Sequence, residues 1–167
     1  MTDFLTKTSK SMWYWLAILV MGIAMEGVAL FYQYQLHYGP CAMCIHVRIY
    51  VLAFMIIALC AMLLRHYRGL RVMTHLITLL LSLGLAERAW NLLGTEHGFI
   101  EGACSMQLGM PNWFALDKWL PSVFEPWEPC GQTPPLLFGI SMAEGLIVLS
   151  IFAILTTVVM TLFSLKK

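Results

Sequence analysis

Four long apolar runs, separated by short polar stretches, set the pattern of this chain: about Trp13 to Tyr34, Ile45 to Leu64, Val72 to Leu93 and Leu136 to Phe163. A helix needs roughly 20 apolar residues to cross about 30 Å of hydrocarbon while satisfying its own backbone hydrogen bonds. The pattern therefore predicts an all-α membrane protein, a four-transmembrane-helix bundle forming a single domain over residues 1–167. Between the third and fourth runs the character changes. Residues 94–134 are punctuated by Gly and Pro, and within them MPNWFALDKWLPSVFEPW (110–127) places Trp113, Phe114, Leu116, Trp119, Leu120, Val123, Phe124 and Trp127 at partly helical spacing. Tryptophan favours the head-group level, so this stretch predicts a short interfacial helix in a loop that is otherwise free to move.

Composition strengthens the membrane reading: 60% of the 167 residues are hydrophobic and 11% charged, with a mean hydropathy of +0.77. The first run follows Lys7 and Lys10, but it exceeds the roughly 7 to 15 residues of a signal-peptide core and no A-x-A site closes it, so it reads as a permanent span. Arg65, Arg68 and Arg71 lie between the second and third runs, and Lys166 and Lys167 at the end of the chain. The opposite loops hold Lys118, while Arg48 and Arg88 sit at span ends. By the positive-inside rule both termini and the middle loop are cytoplasmic, and the loops over about 35–44 and 94–134 face outward. A net charge of +1 without a basic tract offers nothing to nucleic acid.

Charge placement also sorts the cysteines. Cys41, Cys44, Cys104 and Cys130 fall in or beside the outward loops, where disulfides persist, and Cys60 lies inside the second run as a small apolar residue. Four cysteines allow three pairings. A C-x-x-C at a helix start is a familiar redox unit, and pairing Cys41 with Cys44 would leave Cys104 for Cys130. As staples the two bridges are unequal, because a C-x-x-C closes a loop too short to constrain much of the unfolded chain. Zinc would want four Cys/His ligands, and no second C-x-x-C supplies them. Pro40 precedes the pair, so Cys44 falls in or next to the first turn of the second span, where unpaired N–H groups favour a thiolate, the form that attacks disulfides. Arg48 stands one turn deeper on the same face. A cation at that depth is costly unless it snorkels to the head groups or serves a function. It could favour a thiolate at Cys44 or hold the anion of a reduced, lipid-soluble acceptor. His46 lies on another face and reads as an interfacial histidine without a role. Glu87 stands next to Arg88 near the outward half of the third span, while Glu26 and Glu144 need partners or protonation.

PCAMC followed by Arg48, the outward pair Cys104 and Cys130, and the run NWFALDKWLPSVF between them resemble the bacterial disulfide-bond formation protein B family, DsbB, with DsbI among its close relatives. The resemblance covers nearly the whole chain. It implies a thiol:quinone oxidoreductase of the bacterial inner membrane that reoxidises a periplasmic thioredoxin-like oxidase, DsbA or a dedicated counterpart such as DsbL, with ubiquinone or menaquinone from the membrane pool as acceptor. By position it implies disulfides Cys41–Cys44 and Cys104–Cys130. Cys104 would form the mixed disulfide with the partner, Cys41 would pass electrons from the second pair, and Cys44 and Arg48 would contact the quinone together with His97. An oxidant of the DsbA type has a potential near about −120 mV, so only a stronger acceptor such as a quinone pool can keep it oxidised.

Two other readings stay open on residues alone. A disulfide-stapled membrane scaffold would leave both pairs inert. A vitamin K epoxide reductase-like enzyme would also combine four helices with a C-x-x-C, although there the motif usually comes late in the bundle.

Overall fold

The computed structural model describes residues 7–9, 11–64, 66–100, 108–111, 114–129 and 139–165. Four long helices carry the architecture: α1 (Met12–Tyr34), α2 (Ala42–Leu64), α3 (Arg68–Glu96) and, after two single-turn helices α4 (Leu116–Trp119) and α5 (Pro121–Phe124), α6 (Met142–Leu165). All four are long and apolar enough to cross a membrane. At 1.5 Å per residue the 23 residues of α1 extend about 35 Å. The large apolar side chains left exposed along them, such as Val20, Ile56, Leu80, Val148 and Leu155, suit contact with lipid rather than water.

The helix boundaries differ from the apolar runs for local reasons. Helix α2 starts at Ala42 rather than near Ile45 because Cys41 occupies the N-cap: its Sγ accepts from the Cys44 N–H at 3.2 Å, and its carbonyl accepts from the Ile45 N–H at 3.1 Å. Helix α3 continues beyond its apolar run at both ends, since Arg68, Arg71 and Glu96 are good helix formers outside hydrocarbon. The start of the fourth run, Leu136 to Phe138, lies outside the described residues. Helix α6 opens at a capping box, in which the Glu144 N–H donates to Ser141 Oγ at 3.2 Å and the Ser141 N–H to Glu144 Oε2 at 2.9 Å. The expected single interfacial helix is instead two turns broken at Leu120 (φ −137°, ψ 67°). Pro121 is the cause, because it denies helical geometry to the residue before it and brings no N–H of its own.

Packing runs α1 on α2, α2 on α3 and α3 on α6, with the last pair in most extensive contact and no comparable seam between α1 and α6. Close approach depends on small residues. A side chain at Gly84 would stand 2.6 Å from the Tyr50 hydroxyl, and one at Gly22 would meet Met55 at 2.5 Å. Thr78 and Ser82 of α3 and Thr157 and Thr161 of α6 are buried along the α3–α6 seam, their hydroxyls bonded to backbone carbonyls one turn back, with Ser82 and Thr157 also 3.2 Å apart. At the end of the bundle remote from the C-x-x-C, His75 is buried against Trp15, with centroids 4.8 Å apart, and its Nε2 lies 3.1 Å from the Ser9 carbonyl.

Candidate functional site

The gap between α1 and α6 holds a cavity of about 420 Å³. Met21, Met25, Val28, Val51, Leu146 and Leu149 make most of it apolar, and Leu92 of α3 also lines it. Its polar groups are Glu26, Tyr32, Tyr38, Cys44 and Arg48. The loop carrying Tyr38, Gly39 and Pro40 marks the end of the cavity nearest the C-x-x-C. A lining of this kind, hydrocarbon with a few convergent polar groups, suits an amphiphile with a polar ring and an apolar tail.

Cys44 and Arg48, one helical turn apart on α2, both face this space. Cys41 does not. It is 6% exposed and packs with Met43, Leu85, Ala89, Leu92 and Ala143. Both thiols are free, so the pair stands in its dithiol form. In that form the cap favours Cys41: a hydrogen bond from the Cys44 thiol holds its pKa below the ordinary cysteine value, aided by the N–H groups of Cys44 and Met43 against the opposing effect of burial. The helix start therefore stabilises an anion at Cys41, next to the Cys44 position that the sequence points to. The thiol exposed to the cavity is Cys44.

Arg48 does not snorkel. It is 6% exposed, and its Nη1 donates to Gln33 Oε1 at 2.6 Å and to the Val123 carbonyl at 2.9 Å, while Nη2 donates to the Ala29 carbonyl at 3.2 Å. A guanidinium has five N–H groups, so two of them are left without a protein acceptor among the described residues. No carboxylate there lies within ion-pair distance of it, although the Glu26 carboxylate attracts it through space. A buried cation with unused donors beside a thiol can hold an anion.

The loop between α3 and α6 seats itself on this end of the bundle. Leu108 and Phe124 are buried against Ala42 and Ile45, and the Leu108 carbonyl lies 3.0 Å from His46 Nε2. The Trp127 N–H donates to the Pro40 carbonyl at 3.0 Å, and Gln33 Nε2 to the Ser122 carbonyl at 2.9 Å. His46, read from sequence as roleless, thus fastens the loop to α2. Gln33 and Glu26 of α1 also belong to the site. Their signal in the sequence was polarity inside an apolar run, the two lying seven residues, or two turns, apart on one face of α1.

His97 follows the last residue of α3. Its Nε2 lies 4.0 Å from Glu144 Oε1, and it is not among the cavity-lining residues. Glu144, however, stands between Met142 and Gly145, which do line the cavity. Glu87 pairs with Arg88 at 3.1 Å on the surface. Cys104 and Cys130 lie outside the described residues. Among the described residues no cluster of three His, Cys, Asp or Glu side chains could hold a metal ion.

Known proteins are similar to this chain in sequence. The family model described as "Disulfide bond formation protein DsbB" matches residues 11–160. Disulfide bond formation protein B 2 of Pseudomonas aeruginosa is 33% identical over 144 residues, covering 85% of each chain. Disulfide bond formation protein B of Shewanella loihica is 32% identical over 151 residues (86% of this chain, 85% of the relative), and that of Photobacterium profundum 29% over 173 residues (98% and 96%). With four helices able to span a membrane, a paired thiol at the mouth of the second and a family match over most of its length, the chain belongs to the disulfide bond formation protein B family, DsbB.

Proposed function

We propose that this protein is a protein-dithiol:quinone oxidoreductase of the bacterial inner membrane. It takes two electrons from a periplasmic thioredoxin-like dithiol, DsbA or a dedicated counterpart such as DsbL, and passes them to ubiquinone or menaquinone. Both termini are cytoplasmic and the redox loops periplasmic, as the distribution of basic residues indicates. The observation that carries the reading is the shared outlook of Cys44 and Arg48 on an apolar cavity that opens between α1 and α6, within the membrane-spanning part of the bundle.

The Cys104–Cys130 disulfide accepts the partner's thiolate at Cys104, and the second partner thiol then releases the oxidised partner and leaves Cys104 and Cys130 as thiols. Exchange with the Cys41–Cys44 disulfide, attacked at Cys41, regenerates the outer bridge and leaves the inner pair as the dithiol. Chain geometry supports this order. Leu108, four residues after Cys104, is seated on Ala42 and Ile45, and Trp127, three residues before Cys130, is bonded to Pro40. At about 3.4 Å per residue, four and three residues of chain reach at most about 14 and 10 Å from these anchors beside Cys41. Cys41 is buried against Leu85, Ala89, Leu92 and Ala143, so exchange requires the packing at the mouth of α2 to open.

A bound quinone supplies the two-electron acceptor, taking two electrons and two protons as the inner pair closes to its disulfide. Cys44 presents its sulfur to the cavity, Arg48 stabilises negative charge beside it, and the apolar walls exclude water. His97, next to the cavity-lining turn of α6, is a further ring contact in this reading. Single-turnover mixing with a reduced partner separates the steps. Cys104→Ser should block exchange with the partner, while Cys44→Ser should leave the first mixed disulfide possible and abolish quinone reduction. Full turnover by Cys44→Ser would refute these roles.

A further inference from the structure

Gln33 is 1% exposed, one of the most deeply buried polar side chains in the bundle, and the electron path above makes no use of it. Its amide oxygen accepts from Arg48 Nη1 at 2.6 Å, and its amide nitrogen donates to the Ser122 carbonyl at 2.9 Å. The next carbonyl, that of Val123, accepts from the same Arg48 Nη1 at 2.9 Å. Arg48, Gln33 and the Ser122–Val123 turn thus close a ring of hydrogen bonds joining α1, α2 and α5. Chemistry fixes the way the amide points: guanidinium offers only donors and a carbonyl only an acceptor, so the oxygen must face Arg48 and the nitrogen Ser122. No other side chain of this size supplies both. A carboxylate would repel the Ser122 carbonyl, and a hydrocarbon would leave a buried carbonyl and a guanidinium N–H without partners.

We propose that Gln33 is a positioning residue for Arg48, aiming the guanidinium's unused N–H groups at the cavity and tying that aim to the docking of the α5 turn. The proposal rests on the reading of the cavity as the quinone site. Its consequence is a link between the seating of the loop and the charge beside Cys44: if the α5 turn leaves its seat, Gln33 and Arg48 lose the Ser122 and Val123 carbonyls together, and the cation loses its fixed direction.

The test uses the full-length protein in detergent micelles with two readouts. One is the rate of the quinone-reduction step after rapid mixing. The other needs no quinone: the ratio of Cys44 alkylation by anionic iodoacetate to that by neutral iodoacetamide, read by peptide mass spectrometry, which reports a directed positive charge at the sulfur. Gln33→Met should slow quinone reduction about tenfold, the equivalent of one charge-assisted hydrogen bond. It should also lower the alkylation ratio about threefold, as a displaced charge would. In an Arg48→Met background, adding Gln33→Met should change neither readout further. Tyr34→Phe removes another bond to the same Ser122 carbonyl and no hydrogen bond of Arg48, and should leave both readouts within about twofold of wild type. If Gln33→Met does not fold, Gln33→Asn serves, since its shorter amide cannot span Arg48 and the Ser122 carbonyl together, adds no charge, and should lower the ratio likewise. Wild-type behaviour of Gln33→Met, equal losses in Tyr34→Phe, or losses that multiply with those of Arg48→Met would overturn the proposal. Absence of quinone reduction in the wild type would instead refute the cavity's assignment, leaving the alkylation ratio to judge Gln33 by itself.

Discussion

Replacing Arg48 by methionine removes a cation while keeping most of the side chain's bulk, so it isolates what the charge does. Arg48 stands one turn from Cys44, where side chains lie about 6 Å apart, and at an effective dielectric near 20 a unit charge stabilises an anion there by about 3 kcal/mol. An anion that develops at Cys44 or on an acceptor beside it would be disfavoured by about a hundredfold in rate. The same substitution leaves the Gln33 amide oxygen and the Ala29 and Val123 carbonyls short of a donor, a stability loss of about 1–3 kcal/mol that thermal unfolding in detergent would register separately. The assay is stopped-flow quinone absorbance on the dithiol form of the protein, with exchange between Cys104 and the reduced partner followed in parallel by trapping of the mixed disulfide. The expected result is a quinone step slowed about a hundredfold beside an exchange step close to wild type. Arg48→Lys, a point charge without the planar fork, should fall between, about tenfold down. A folded Arg48→Met protein that reduces quinone within about threefold of wild type would rule out an electrostatic role of this size for Arg48.

Two further outcomes follow from the geometry. The depressed Cys41 pKa means that the dithiol form gains stability from this thiolate above the unfolded cysteine value and loses it as pH falls through the lower folded value. Thermal unfolding of reduced protein across that window should therefore weaken on acidification, and Cys41→Ser should flatten the profile; an unchanged slope would contradict the cap. Ser141→Ala should destabilise α6 by about 1 kcal/mol, the usual cost of a lost N-cap, and should also free Glu96, which accepts from Ser141 Oγ at 3.1 Å; an unaltered unfolding midpoint would show that the box contributes nothing.

The membrane architecture was legible because hydropathy reports the one constraint that dominates in lipid, a continuous apolar surface on each spanning helix. Helix ends were less so. They are set by individual caps at Cys41 and Ser141, which an apolar run does not register, although S-M-A-E at 141–144 has the spacing of a capping box. The C-x-x-C and Arg48 stood out as chemistry out of place in a greasy segment. What hid was the partner set. Gln33 reaches Arg48 only because α1 and α2 pack side by side, and the Ser122, Val123 and Leu108 contacts involve backbone carbonyls, which every residue possesses and no sequence advertises. The break at Leu120 was readable from Pro121, but the aromatic spacing on either side masked it.

The proposed electron path runs from a partner dithiol through this chain to a quinone. Purified protein in detergent, given a catalytic amount relative to a reduced thioredoxin-like oxidase and excess quinone, should convert quinone to quinol and partner dithiol to disulfide in equal amounts, followed together by ultraviolet absorbance and thiol titration under anaerobic conditions. Partner oxidation that proceeds equally without quinone, or no loss of quinone while the reduced partner is present, would contradict the account.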